Sequence, residues 1–315
     1  MPIPPSEYVS NVWKQGIFDG RVVFVTGGAG TICSAQTRAL VHLGANACII
    51  GRSQEKTEAV AKDLATARPG AKVIGIGGCD VRDPENLVKA AERCARELGA
   101  IDFVIAGAAG NFVAPISGLT SNGFKTVMEI DVLGTYNTVK ATIPYLVESA
   151  ARNKGSKDGL TGGRILFVSA TFHYTAMPMQ AHVMAAKASV DSIMASVAVE
   201  YGPYGVTSNV VAPGGIEATE GLMRLASSKV DAKTAGAGIP LGRLGTVRDI
   251  ADATVYLFSD AGNYVNGEVL IVDGADWRHR GMGVGLDADM RYPDYLLKGE
   301  FSKFVKTGRK DKSKL

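Results

Sequence analysis

Four cysteines in 315 residues, none arranged as Cys-x-x-Cys, exclude a zinc-ribbon site and a disulfide framework. Cys33, Cys48, Cys79 and Cys94 are spaced as isolated, buried, reduced thiols, and no metal is expected. No apolar run approaches the roughly 18 residues of a membrane-spanning helix, and no signal-peptide pattern opens the chain, so no membrane span is expected. The net charge is only +3, which gives no reason to expect a nucleic-acid partner. No repeat with a period of roughly 20–50 residues is visible.

What is present is a hydrophobic fraction of 46%, ample for a large core. The length suits two domains of roughly 150 residues, or one open α/β sheet of about 250 residues with terminal extensions. The charge is uneven, because residues 278–315 hold ten Lys/Arg against five Asp/Glu. Residues 1–18 are proline-rich at the start and read as an arm lying on the body.

Strand and helix patterns alternate. Short apolar runs at 21–26, 47–50, 73–77, 102–106, 164–169, 207–212 and 267–272 read as buried parallel strands. Helices are expected over 33–43, 54–67, 84–98, roughly 124–147, roughly 180–201 and 246–259, with Pro84 opening one and Gly99 closing it. Residues 153–163 read as a surface insertion and 217–240 as a mixed helical insertion. The expected fold is α/β: a doubly wound, seven-stranded parallel sheet of the Rossmann type. It forms a single domain over 19–275, followed by a C-terminal extension over 276–315.

The first strand runs into Thr26-Gly27-Gly28-Ala29-Gly30-Thr31-Ile32-Cys33. Small residues let a backbone approach a pyrophosphate at a helix N-terminus, where free N–H groups and the helix dipole favour an anion. The second strand ends in Ile50-Gly51-Arg52-Ser53, with no acid to meet a ribose 2′-hydroxyl. Arg52 suits a 2′-phosphate instead, so NADP(H) is the expected cofactor.

These features resemble the short-chain dehydrogenase/reductase family, whose turn reads Thr-Gly-x-x-x-Gly-x-Gly. Thr31 and Cys33 replace its second and third glycines. Asp80-Val81 is similar to the pair whose Asp meets the adenine amino group, and Gly107-Ala108-Ala109-Gly110 stands where the family carries Asn-Asn-Ala-Gly. Pro213-Gly214-Gly215-Ile216, with Thr219 beyond, resembles the element flanking the nicotinamide. The resemblance therefore implies cofactor contacts at Gly27, Gly28, Gly30, Thr31, Ile32, Arg52, Asp80, Val81, Ala108, Lys187, Pro213, Gly214, Ile216 and Thr219.

The family's reacting Asn, Ser, Tyr and Lys fall here on Asp131, Ala170, Val183 and Lys187. Without either hydroxyl, the usual alcohol–ketone proton relay is excluded, and a 3-hydroxyacyl-CoA dehydrogenase is disfavoured. This combination resembles the peroxisomal 2,4-dienoyl-CoA reductases, fungal ones especially, which share the elements at 108–112, 130–134, 186–187 and 219–222. Mitochondrial relatives carry a tyrosine after strand five, where this chain has Phe172.

The resemblance implies hydride transfer from NADPH to a 2,4-dienoyl-CoA, giving a 3-enoyl-CoA. Asp131 and Lys187 are then the expected catalytic pair, orienting a water that protonates the α-carbon. Phe112 is expected to line the acyl channel, and Arg82 and Arg224 to meet CoA phosphates. His173, Tyr174 and His182 are alternative proton donors in the same segment. A 2-enoyl-CoA reductase and a non-catalytic scaffold protein are the competing readings. Members of such a family form homodimers or homotetramers through their long helices. The last residues, Ser313-Lys314-Leu315, match the peroxisomal import signal read by a receptor, which implies the peroxisomal matrix.

Overall fold

The computed structural model describes residues 3–154, 162–219 and 236–279. Seven parallel strands form one sheet in the order β3-β2-β1-β4-β5-β6-β7. They are β1 (Val22–Thr26), β2 (Asn46–Ile50), β3 (Val73–Ile76), β4 (Phe103–Ala106), β5 (Arg164–Val168), β6 (Thr207–Pro213) and β7 (Val269–Val272). Every adjacent pair is parallel, with registers such as Val23 opposite Phe103 and Phe24 opposite Cys48. β1 and β4 are buried at every residue, as central strands covered on both faces must be. β3 and β7, at the two edges, are only partly buried.

The helices are α1 (Thr31–His42), α2 (Gln54–Ala65), α3 (Pro84–Leu98), α4 (Ser121–Val127), α5 (Gly134–Asn153), α6 (Phe172–Thr175), α7 (Ala181–Tyr201), α8 (Val247–Phe258) and α9 (Asp276–His279). Strand residues alternate between two cores. Val22, Phe24 and Cys48 face α3, α5 and α7, whereas Val23, Val25 and Ile49 face α1 and α8.

Local chemistry sets the helix ends. The Asp83 carboxylate accepts from the N–H groups of Glu85 and Asn86, Pro84 opens α3, and Gly99 closes it with φ 92°. Thr246 and Asp249 form a reciprocal capping box at the start of α8.

The expected 124–147 helix is longer and less regular than its sequence suggests. α4 and α5 are joined without a break by a π-helical stretch, Met128–Leu133, so helix runs from 121 to 153. An i→i+5 turn has no hydrophobic period of its own and cannot be read from spacing.

The N-terminal segment packs on α1 and α8. Tyr8, Val9 and Phe18 are buried, and the Asp252 carboxylate accepts from the Ser10 N–H at 2.9 Å and the Trp13 indole at 2.8 Å. The insertion at 217–240 lies largely, and the tail beyond 279 wholly, outside the described residues. Among the described residues no helix is long and apolar enough to cross a membrane.

Candidate active site

The sheet order reverses direction between β1 and β4, and a cleft opens beyond the carboxyl ends of those strands, as expected at a topological switch point. Its volume is about 520 Å³. Of the residues expected at the cofactor, Gly27, Gly30, Arg52, Asp80, Val81 and Ala108 line it. Gly27, with φ 67°, leaves no room for a side chain: a Cβ there would sit 2.9 Å from Ala108 Cα. Thr26 buttresses the floor, its hydroxyl accepting from the Gly107 N–H at 3.2 Å.

Gly28 does not line the cleft. It lies against β2, where a Cβ would meet Ile49 Cβ at 2.5 Å. Thr31 and Ile32 form the first turn of α1, which follows the cleft-lining Gly30 and has no side-chain cap; neither of the two lines the cleft itself. Arg52 is exposed, and its guanidinium makes no hydrogen bond or ion pair among the described residues. Ser53 caps α2, and Lys56 lines the cleft one turn on. Sequence reasoning missed Lys56. Its signal is the i,i+4 spacing from Arg52, which puts two cations at a helix N-terminus. The cleft thus fits a phosphorylated dinucleotide: a glycine floor, a free helix start, and a cationic corner at the end of β2.

Asp80 also lines the cleft. Arg82, expected beside a CoA phosphate, pairs with Asp80, with Nε 3.0 Å from Asp80 Oδ1 and Nη2 2.7 Å from Oδ2. These hydrogen bonds hold the Asp80 carboxyl below its ordinary range. The Val81 side chain explains the glycine of the Asp-x-x-Gly element, because a Cβ on Gly134 would sit 2.5 Å from Val81 Cγ2. Pro213 ends β6, and Gly214, Ile216 and Thr219 follow it. The Pro213 carbonyl accepts from the Thr171 N–H, and Gly214 lies against Asp273, where a Cβ would approach to 2.5 Å. Thr219 hydroxyl donates to the Ile216 carbonyl.

At the expected reacting centre, Asp131 sits in the π-helical stretch and is 1% exposed. Its Oδ2 lies 3.2 Å from Lys187 Nζ, and its Oδ1 accepts from the Gly110 N–H at 2.7 Å. Lys187 also donates to the Val168 carbonyl at the end of β5, at 3.1 Å. Lys187 is buried too, which makes this an oriented ion pair with little solvent screening. The tyrosine position, Val183, is packed in an apolar cluster with Val127, Ala186, Met128, Val132 and Phe172. Ala170 is buried. Burial pushes the neighbouring Cys33 thiol up to about 12, with Lys187 pulling the other way.

The alternative proton donors are committed elsewhere. His173 Nε2 and the Tyr174 hydroxyl both bind Asp191 Oδ2. Burial, then the bond to Asp191, holds the Tyr174 phenol well above its ordinary value, which makes it a poor acid at neutral pH. His182 binds the Phe112 carbonyl through Nε2 at 3.0 Å. Phe112 itself is 38% exposed and free to face a ligand. Arg224 and Ser313-Lys314-Leu315 lie outside the described residues, and among the described residues no cluster is arranged to hold a metal.

The family described as "Enoyl-(Acyl carrier protein) reductase" matches residues 27–274. The peroxisomal 2,4-dienoyl-CoA reductase SPS19 of Saccharomyces cerevisiae, described as (3E)-enoyl-CoA-producing, is 50% identical over 292 residues, 92% of this chain and 94% of that protein. The peroxisomal 2,4-dienoyl-CoA reductase of Danio rerio is 39% identical, over 85% of each chain. Among solved structures, levodione reductase superposes with a TM-score of 0.74 at 26% identity, over 83% of this chain and 99% of that one. The chain belongs to the short-chain dehydrogenase/reductase family, within which it groups with the peroxisomal 2,4-dienoyl-CoA reductases.

Proposed function

We propose that this protein reduces 2,4-dienoyl-CoA thioesters to 3-enoyl-CoA with NADPH, in the peroxisomal β-oxidation of unsaturated fatty acids. The observation that carries the reading is the buried Asp131–Lys187 pair beside a tyrosine position filled by Val183. Bound at the cleft, NADPH would supply the hydride that the δ-carbon of the dienoyl chain takes up. The electron pair then moves through the diene to the thioester oxygen, and the α-carbon takes up a proton. No hydroxyl proton changes hands, so the loss of the Ser–Tyr pair removes nothing the reaction needs.

Lys187 supplies positive charge where the oxyanion develops. Its two anchors, Asp131 and the Val168 carbonyl, fix its direction. Asp131 orients the water that protonates the α-carbon, and the hydroxide left behind takes up a proton from solvent. Apolar residues around Val183 exclude further water, and the partly exposed Phe112 lines the acyl channel. Arg52 and Lys56 favour NADP(H) over NAD(H) by meeting the 2′-phosphate.

Incubation with NADPH and hexa-2,4-dienoyl-CoA tests the reading, with hex-2-enoyl-CoA as the competitor. Turnover of the dienoyl ester to the 3-enoyl product supports it. Turnover of the 2-enoyl ester alone favours the second reading, an enoyl-thioester reductase, to which the description of the matched family points.

The same proposal includes a homodimer or homotetramer built through α5 and α7, which expose Tyr136 and Val199. It also includes import to the peroxisomal matrix by a receptor that reads Ser313-Lys314-Leu315. A fluorescent fusion that stays cytosolic with the tripeptide intact would argue against that route.

A further inference from the structure

The loop after β4 carries two groups of the site: the Gly110 N–H that binds Asp131, and the Phe112 side chain. No regular secondary structure spans residues 107–115. The segment just before and at the start of α7 holds that loop in place. Gln180 Nε2 donates to the Phe112 carbonyl at 3.1 Å, and His182 Nε2 lies 3.0 Å from the same oxygen. The Ala114 N–H donates to the Met179 carbonyl at 3.2 Å. The His182 ring also lies 4.3 Å, centroid to centroid, from the Phe112 ring, tilted by 31°.

A carbonyl oxygen only accepts, so His182 carries its hydrogen on Nε2. Gln180 and His182 are both almost fully buried. Each uses its donor and leaves its acceptor, Gln180 Oε1 and His182 Nδ1, without a hydrogen-bond partner among the described residues. Leaving a buried polar atom so is costly. Apolar side chains would fill the same space without that cost. The backbone that delivers the pair is strained as well, with Ala176 at φ 58° and Met179 at φ 64°. Two orphaned acceptors and two left-handed residues are sustained for one result, a pair of donors converging on one carbonyl.

We propose that Gln180 and His182 are positioning residues for the reacting pair. They hold Phe112 by its carbonyl, and His182 also holds its ring. They thereby fix the Gly110 N–H two residues upstream, which orients Asp131 toward Lys187. The inference rests on the reading of Asp131 as a reacting group and goes beyond it. It makes the first turns of α7 do two jobs: Lys187 meets the substrate side, and His182, five residues earlier, sets the partner carboxylate through the loop.

The test uses His182→Leu, His182→Gln and Gln180→Leu in the full-length protein. A glutamine amide reaches the position of the imidazole Nε2, so His182→Gln restores the donor. Three quantities are read: hydrogen exchange of the 108–116 amides, kcat with hexa-2,4-dienoyl-CoA, and the NADPH Kd. In His182→Leu, exchange at Gly110 rises and kcat falls about 10–100-fold, as a misplacement of about 1 Å at a reacting group does. The NADPH Kd stays within about twofold, because the cationic corner at Arg52 is untouched. His182→Gln recovers most of both losses.

If His182→Leu does not fold, Gln180→Leu carries the test, with smaller changes of the same sign because the His182 bond survives. Unchanged exchange and kcat in the leucine variants would overturn the proposal, as would a glutamine variant as impaired as the leucine one. A wild-type protein inactive on the dienoyl ester, with exchange responding as described, would remove the assigned reaction and leave the clamp standing.

Discussion

Cys33 and Gly107 share one space: a Cβ on Gly107 would lie 2.2 Å from Cys33 Sγ. Two departures from the family pattern are therefore a single exchange. Cys33 fills the third glycine position of the turn, and the residue after β4 gives up its side chain in return. Gly107→Asn in the present background overpacks this contact, at about 1–3 kcal/mol or more. Cys33→Gly alone leaves a void. The double variant, Cys33→Gly with Gly107→Asn, is expected to be more stable than the sum of the two losses predicts, with a coupling of about 0.5–3 kcal/mol. Urea unfolding of the four proteins measures it, and strict additivity would refute the exchange.

Acid sensitivity is predicted at the start of α8. The hydrogen bonds from Arg243, aided by those from Thr246, pull the Asp249 carboxyl from its ordinary 3.8 to about 2, against a smaller opposing effect of burial. A group whose folded value is depressed stabilises the fold above its unfolded value, and that contribution is lost as pH falls through the folded one. The stability difference between wild type and Asp249→Asn is therefore greatest at neutral pH and shrinks from about pH 4 toward pH 2. A difference constant over that window would show that Asp249 acts through the cap geometry alone.

The alternation of strands and helices was legible because each strand is an apolar run cut by glycine, and most helices carry side-chain or glycine caps. The seven-stranded order then follows from short right-handed connections. Asp131 and Lys187 were legible from their positions in the family pattern, 56 residues apart in sequence, although only folding brings them to 3.2 Å. The π-helical stretch was not, since no side-chain period encodes it. Nor was the pairing of Arg82 with Asp80, because a charge two residues from another has many alternatives in sequence. Gln180 and His182 escaped notice as a clamp because their partner is a main-chain carbonyl, which no residue identity reveals.

Arg52 and Lys56 predict a graded loss of cofactor preference. A hydrogen bond to a charged group contributes about 1.5–3 kcal/mol, so Arg52→Ala is expected to raise the NADPH Kd by about 10–100-fold. Lys56→Ala, acting as a point charge without bidentate geometry, raises it less. NADH binding changes little in either variant, because it lacks the 2′-phosphate. Fluorescence titration with both cofactors checks this. Equal weakening for NADPH and NADH would assign Arg52 to the cleft's general shape.

Asp131→Asn separates a reacting carboxylate from a structural one. The amide keeps an oxygen that can accept from the Gly110 N–H, so the loop contact at 2.7 Å survives. What it removes is the charge beside Lys187 and the capacity to pass on a proton. Loss of general acid–base assistance lowers kcat by about 10²–10⁴-fold. Breaking the pair also leaves Lys187 buried beside a neutral group, at about 3–5 kcal/mol of stability. The assay is therefore run where thermal melting shows the variant folded, with NADPH binding as a second control. A folded Asp131→Asn protein that binds NADPH and turns over hexa-2,4-dienoyl-CoA at the wild-type rate would reduce the pair to a structural ion pair. A large kcat loss with intact cofactor binding assigns the proton step to this carboxylate and the water it orients.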